Sequence, residues 1–280
     1  MPDSGINSYI SSGPYVPEHI PEYFCPFSDA EPFQDEDLVY YLHSGTIHII
    51  AYPLNSEASV QSIEDHVIEL VSKLKPSLIK VISPLRLNIP AYKCTSYEND
   101  FYFCLELSKI SKNAKLRNMF KRASQSVYIR KVDTFTREHL RVLESFIRKK
   151  NFDREKTVFF HRLPDYLWQS GGSILVEARL RKDNSLTGFS VFHCGPGPYG
   201  FYLFNITHAE SEKIPGINDL MLEQAINEIN NQGKYFMNMG LGVNPGIEKF
   251  KAKWGAVPFL PYYYQNFEPA FSWKSFFKRS

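Results

Sequence analysis

The chain has 280 residues with 32 lysines and arginines against 30 aspartates and glutamates, so its formal net charge is +2. This balance supplies no overall attraction to nucleic acid or to an acidic membrane, and any such partner has to be met by a local patch. The length allows one large domain or two small ones. No apolar run approaches the roughly 20 residues that a membrane-spanning helix needs.

The amino terminus and the cysteines bear on the cellular compartment. The opening stretch MPDSGINSYISSGPYVPEHIPEYF lacks the basic-then-apolar layout of a secretory signal. The cysteines have no CxxC spacing, which argues against a zinc site and against a disulfide framework. They are Cys25, Cys94, Cys104 and Cys194. We therefore expect a soluble, cytoplasmic protein with reduced thiols and no bound metal.

The first part of the chain predicts an arm followed by a small set of strands. Residues 1–36 are rich in proline and acid, which predicts an extended arm without regular helix. Residues 37–52 then alternate as two strands around a Ser44-Gly45 turn. Apolar residues at helical spacing predict a helix over 62–74. Buried strands are predicted over 77–83 and from Phe101, so the order is strand, strand, helix, strand, strand.

The remainder of the chain has a more regular pattern. A basic helix over 112–122 leads into a strand over 127–132. From residue 136 the predicted order is two helices, three antiparallel strands, helix, strand, helix, strand. The helices cover 136–150 with Thr136 as cap, 163–170, 218–230 with Asn218 or Asp219 as cap and Gly233 at the end, and 246–255. The strands cover 173–180, 187–194, 199–208, 234–240 and 257–264.

The order over about 136–264 resembles the GNAT acyltransferase fold, and the first half is similar to a truncated second copy of that unit. Tandem copies of this kind occur in the Fem-type peptidoglycan aminoacyltransferases and in the catalytic domain of phosphatidylglycerol lysyltransferases. Three stretches are similar to segments of those proteins: KLRNMFKRA, PGINDLMLEQAI and EKFKAKWG. The resemblance implies an α+β, mixed α/β class with mostly antiparallel sheets flanked by helices.

The implied organisation is tandem, with the first GNAT-like copy truncated. We expect an extended arm over 1–36 and a degenerate GNAT-like subdomain over 37–130. The catalytic GNAT-like domain would then cover 131–265. An aromatic and basic tail would follow over 266–280, in a composition that suits either a membrane interface or packing on its own domain.

A donor site follows from the same resemblance. In the GNAT fold the donor lies in a V between the fourth and fifth strands, here the strand carrying Phe204 and Ile206 and the one that ends near Gly240. Glycine lets a backbone approach a ligand closely. Gly240, Gly242, Asn244 and Gly246 therefore predict a ligand-facing loop, with an ordinary strand-to-helix turn as the alternative.

The choice of donor depends on the start of the central helix. Acetyl-CoA users carry [QR]-x-x-G-x-[GA] there, so that exposed N–H groups hold the pyrophosphate. The corresponding residues are a partial match: Lys213, Gly216, Ile217 and Asn218, with lysine and asparagine departing from the pattern. Fem-type relatives take aminoacyl-tRNA and tend to lack this motif. We favour acyl-CoA as donor and keep aminoacyl-tRNA as the alternative.

Acyl transfer to an amine needs a base, donors for the oxyanion and an acid for the leaving group. His208, at a strand end, is the candidate base because imidazole titrates near neutrality. Backbone N–H groups over 204–207 are candidates to polarise the donor carbonyl, and Tyr262 is the candidate acid. Lys251 matches a lysine that Fem-type enzymes use near the donor, with a surface lysine as the alternative. Glu177 and His193 are weaker candidates.

The basic helix over 112–122 predicts contact with an anionic partner. Its candidates for contact with tRNA or an anionic lipid are Lys115, Arg117, Lys121 and Arg122. A solvated helix face is the alternative. Taken together, the sequence predicts an acyltransferase that acts on a small-molecule or peptide acceptor through an amine or hydroxyl. A GNAT-fold module that binds a ligand without turnover is the alternative of a different class.

Overall fold

A computed structural model of the chain describes residues 13–54, 60–208 and 214–270, without the side chains of Val60 and Lys115. Its strands form one sheet in the order β1-β2-β3-β4-β11-β5-β10-β9-β8-β7-β6. The strands are β1 (Glu31–Asp35), β2 (Leu38–His43), β3 (Thr46–Ile50), β4 (Leu78–Ser83), β5 (Tyr92–Glu106), β6 (Val127–Val132), β7 (Ser173–Leu180), β8 (Leu186–Cys194), β9 (Tyr199–Thr207), β10 (Phe236–Leu241) and β11 (Val257–Pro269).

Helices cover both faces of this sheet. They are α1 (Pro21–Ser28), α2 (Val60–Leu74), α3 (Ala114–Ser126), α4 (Arg137–Lys150), α5 (Arg154–His161), α6 (Leu163–Gln169), α7 (Ile217–Asn231) and α8 (Pro245–Lys253). The pairs β3/β4 and β9/β10 are parallel, and the other neighbouring strands are antiparallel. The predicted mixed, mostly antiparallel sheet flanked by helices is therefore confirmed.

The alternation of side chains along β7 explains how the sheet supports two helical layers. Val176 packs in the apolar cluster that includes Met221 and Leu222 of α7, whereas its neighbour Leu175 packs with Leu143 of α4. Successive residues of a strand point to opposite faces. Hence α7 and α4 lie on opposite sides of the same strands, as the amphipathic pattern of each helix requires.

The predicted extended arm is wrong for the described part of residues 1–36, because α1 and β1 form there. Pro21 occupies the first turn of α1, where a proline removes no helical hydrogen bond. Tyr15, Val16 and Ile20 are buried in the core below it. The prolines limit the length of the helix. Burial of the apolar side chains, which the proline content does not reveal, holds the segment on the sheet.

Several element boundaries also differ from prediction. The strand β5 begins at Tyr92 rather than Phe101, since β11 pairs with it from Val257 to Pro269. Residues 266–269 are thus strand and not the start of a tail, while 271–280 lie outside the described residues. The helix α5 was missed. Gly216, and not Asn218 or Asp219, is the N-cap of α7.

The strand β11 joins the two parts of the sheet by pairing with both β4 and β5. The division of the chain near residue 131 into a degenerate and a catalytic unit stays a prediction. No helix in the described ranges combines the length and the apolar character needed to cross a bilayer.

Candidate active site

The strands β9 and β10 pair over three residues only, and the space beyond this pairing is the opening between them. The two strands pair in parallel only as far as Asn238 and Phe201. Beyond that point β9 is bulged against β8, because Val191 pairs with Phe204 while Phe192 pairs with Tyr202. A bulge bends its strand and leaves one residue outside the regular ladder. The strands therefore diverge after the bulge, as the GNAT resemblance implies.

The loop that leaves β10 is held by side-chain hydrogen bonds. The Asp100 carboxylate accepts from the N–H groups of Gly242, at 3.1 Å, and Val243, at 2.8 Å. A Cβ at Gly242 would lie 2.7 Å from Asp100 Oδ1, so a side chain there would displace the carboxylate that holds the loop. Asn244 caps α8 by accepting from Gly246 N at 3.0 Å. Contact of Gly240, Gly242 and Asn244 with a donor stays a prediction.

Lys251 is buried beneath this loop, so the alternative of a surface lysine is wrong. Its side chain is 3% exposed, and its Nζ donates to the carbonyl of Gly240 at 2.9 Å and to that of Leu241. The ammonium also lies 5.2 Å from the centre of the Phe103 ring. Burial lowers the pKa of Lys251 to about 7, although Asp100 and Glu248 act in the opposite direction. Lys251 thus fixes the backbone at the end of β10.

Replacing Lys251 by methionine is expected to remove a rise in stability between about pH 7 and 9. The folded pKa of about 7 lies below the ordinary 10.5, so in this interval the unfolded chain binds more protons, and parent stability increases with pH. Methionine carries no titrating proton. Urea unfolding across the interval measures the difference. Lys249→Met, at an exposed position of the same helix, is the control, and equal pH slopes for all three proteins would contradict the effect.

The start of α7 packs closely against α3. Gly216 has a φ of 90°, and a Cβ there would lie 3.1 Å from the carbonyl oxygen of Met119. Ile217 is buried, and Asn218 Oδ1 is buried without a hydrogen-bond partner among the described residues. Lys213 lies outside the described residues. The proposed phosphate contacts of this segment therefore stay a prediction.

The side chains of Phe204 and Ile206 are buried in the cluster beneath α4, which leaves only their backbone for contact with a donor. His208 follows β9 and lines a cavity of about 1020 Å³ together with Arg181 and Lys182. Tyr262 instead packs with the tyrosines over β5 and β11. The candidate base His208 and the candidate acid Tyr262 therefore do not line the same cavity.

The two weaker candidates, Glu177 and His193, are buried and hydrogen-bonded to other side chains. Glu177 is 1% exposed and accepts hydrogen bonds from Arg130 and Arg179, at 2.8 and 2.7 Å. His193 is 1% exposed, and burial lowers its pKa to about 4, which keeps the ring neutral. Its Nδ1 lies 3.0 Å from the hydroxyl of Tyr166. Catalytic roles for Glu177 and His193 stay predictions.

Sequence reasoning missed Glu18, which lies in a one-turn helix before α1. The Tyr102 hydroxyl donates to its Oε2 at 2.8 Å, and the Tyr41 hydroxyl donates to its backbone carbonyl at 2.8 Å. Burial raises the pKa of the Glu18 carboxyl to about 7, while its hydrogen bonds act in the opposite direction. A carboxylate that titrates near neutrality is suited to accept a proton at physiological pH.

The surroundings of Glu18 place it next to the opening. Burial, with Glu18 as a further contributor, holds the pKa values of the Tyr52, Tyr102 and Tyr262 phenols well above their ordinary range, so these rings are neutral. Leu203 of β9 and Leu241 of β10 pack against the same cluster that contains Tyr102. The only hint in the sequence was the density of aromatic residues in YVPEHIPEYFCPF, which exceeds what a solvated arm needs.

Comparison with known proteins places the chain by its fold. No family model and no curated protein matches the sequence. FemX is similar in structure, with a TM-score of 0.62, 10% identity and coverage of 92% of this chain and 94% of its own. The C-terminal domain of a protein named as a lysylphosphatidylglycerol synthetase, from Agrobacterium fabrum, has a TM-score of 0.57 and 13% identity, covering 85% of this chain and 84% of its own.

A third similar structure is a tandem GNAT protein from the clavulanic acid biosynthesis pathway. Its TM-score is 0.51 at 12% identity, and the match covers 84% of this chain and 79% of that one. Identities of this size establish the fold alone. The chain therefore has the GNAT fold, in agreement with the resemblance seen in its sequence.

Proposed function

We propose that the chain is an acyltransferase, which moves an acyl group from acyl-CoA to an amine acceptor at the opening between β9 and β10. The observation that carries the proposal is the position of Glu18, a proton acceptor with a pKa near 7. Its hydrogen-bond donor Tyr102 packs in the cluster that Leu203 of β9 and Leu241 of β10, one from each side of the opening, also contact. Acyl transfer needs a carbonyl held in place and a base beside it. The opening and Glu18 supply these two requirements.

In the proposed reaction the acceptor nitrogen attacks the thioester carbonyl, and its proton passes to Glu18. The C–N bond forms as the C–S bond breaks, and backbone N–H groups near the bulge stabilise the oxyanion. A cysteine thiol has an ordinary pKa of about 8.5, and burial holds the pKa of the Tyr262 phenol well above its own ordinary value. Tyr262 is therefore a poor acid for a leaving thiolate. Solvent or the protonated Glu18 is better suited to return the proton.

The experiment that tests this function measures free thiol released from acetyl-CoA in the presence of a panel of amines. We expect release that depends on the amine and a mass increase of the amine by one acetyl group. Binding of acetyl-CoA without turnover of any amine would favour a ligand-binding module that lacks catalysis. Absence of both binding and turnover would exclude acetyl-CoA as donor.

A second donor, aminoacyl-tRNA, is favoured by the exposed basic face of α3. Arg117, Lys121 and Arg122 are exposed there, and α3 contacts the start of α7 at Gly216. Arg181 extends this face, since its Nε donates to the Ser124 carbonyl at 2.7 Å. A cluster of cations attracts a phosphate backbone. The same assay therefore has an arm with aminoacyl-tRNA, and acyl transfer in that arm alone would assign this donor.

A further inference from the structure

We propose that the cavity beside Glu18 is the acceptor site and that it takes a primary amine carried on an apolar chain or ring. The inference rests on the acyl transfer proposed above and adds the chemical class of the acceptor. Three features support it: the shape of the cavity, the charges on its walls and its continuity with the opening.

The cavity has a volume of about 510 Å³ and lies between α1, α5 and the strands β3, β4 and β11. This size is typical of sites for small molecules. Its walls include Phe24, Phe27, Ile50, Ile82 and Phe159. A polar group placed against these five side chains would lose its hydration without gaining a hydrogen bond, whereas an apolar body loses nothing. This part of the lining therefore favours an apolar body, while Ser28 and Thr46 add hydroxyls elsewhere in the cavity.

The charged groups on the walls favour a cation. Glu18 and Glu155 supply two carboxylates, and Lys80 supplies the one ammonium among the described residues that line the cavity. Burial, with Lys80 and His43 as further contributors, lowers the pKa of His48 to about 4, so this ring is neutral. His43, at the exposed end, contacts the backbone carbonyl of Asp29 through Nδ1 at 2.7 Å. With Glu18 ionised, the net charge of the carboxylates and the ammonium is negative.

The remaining titratable groups near Glu18 do not change this balance. Burial raises the pKa of Tyr264 to about 12, and Tyr23 is held well above its ordinary value, so both phenols are neutral. Glu98, on β5, influences Tyr262 and Tyr264 and adds a further negative charge nearby. An ammonium is thus drawn to the Glu18 end. It loses one proton to solvent before attack, and Glu18 accepts the second proton as the C–N bond forms.

Continuity with the opening follows from the position of Glu18. Glu18 itself lines the cavity, and the Tyr102 hydroxyl donates to its carboxylate. Tyr102 packs in the cluster that also contacts Leu203 and Leu241. A ligand with its nitrogen at Glu18 and its body in the cavity therefore presents the nitrogen toward the diverging strands. Glu18 would be shared between the two binding sites.

The test compares three probes with the same number of carbon atoms, namely hexylamine, 1-hexanol and hexanoate, by calorimetry without any donor. We expect hexylamine to bind most tightly and Glu18→Gln to weaken it by about 10-fold or more, the scale of a charge-assisted hydrogen bond. Glutamine keeps the shape and still accepts from Tyr102, which limits any effect on folding. Glu31→Gln, at an exposed position of β1, is the matched control and should bind hexylamine as the parent does.

Equal or tighter binding of hexanoate, or binding that Glu18→Gln leaves unchanged, would overturn the inference. Absence of hexylamine binding to the folded parent would overturn it as well. These outcomes are separate from the function itself. Turnover of a polar amine without hexylamine binding would reject the acceptor class and keep acyl transfer, whereas hexylamine binding without turnover of any donor would keep the amine site and reject acyl transfer.

Discussion

Truncation of Trp254 to alanine is expected to lower the free energy of unfolding by roughly 3–5 kcal/mol, the range for a large aromatic residue in a core. Trp254 is 2% exposed, and its ring centre lies 5.8 Å from that of Phe120 on α3. Its Nε1 donates to Asp219 Oδ1 at 2.9 Å. The substitution removes packing between α8, α3 and α7 and leaves the buried Asp219 carboxylate with one donor fewer.

Urea or thermal unfolding measures this effect, and Trp168→Ala is the matched control. Trp168 is 91% exposed, so its truncation should change the free energy of unfolding by no more than about 0.5 kcal/mol. If the two alanine variants unfold at the same urea concentration, Trp254 does not hold α8 against the core.

Glu18→Gln is expected to lower turnover by about 10²–10⁴-fold, the usual contribution of a general base. A glutamine at this position keeps the hydrogen bond with Tyr102 but cannot take the acceptor proton. Binding of the donor should be unchanged, because the substitution affects the acceptor side. Initial rates and donor calorimetry measure the two effects, and a variant with parental turnover would exclude Glu18 as the base.

The pH dependence separates loss of the base from loss of folding. With a pKa of about 7, Glu18 is protonated at lower pH, so parent activity should fall as the pH decreases through 7. The folded pKa of Glu18 exceeds the ordinary 4.5. Between pH 4.5 and 7 the folded state therefore binds more protons than the unfolded chain, and parent stability falls as the pH rises through this range. The glutamine variant has no carboxyl group at this position, so its stability should not show that fall between pH 4.5 and 7.

Tyr102→Phe provides a second check on the same group. The hydrogen bond from Tyr102 lowers the pKa of Glu18, so its removal should move the acidic limb of the activity profile to higher pH. A purely structural role for Tyr102 would reduce activity without moving that limb.

The sequence alone was sufficient for most of the regular elements of the chain. The spacing of apolar residues and the turn residues between them predicted the strands β7, β8 and β9 and the helices α4 and α7, because the apolar residues of each element repeat at strand or helix spacing. Their order was enough to indicate the GNAT fold. These features depend on residues close together along the chain, where local preference and burial act in the same direction.

The tertiary structure decided the features that depend on distant residues. Pairing with β11 extends β5 back to Tyr92, and burial against the sheet turns a proline-rich stretch into α1. Lys251 differs from an ordinary surface lysine only because the end of β10 folds over it. Burial, which no local pattern encodes, raises the pKa of Glu18, and the hydrogen bond that opposes this rise comes from Tyr102, 84 positions away. Desolvation and long-range contacts set the chemistry of a site, and neither can be deduced from spacing along one chain.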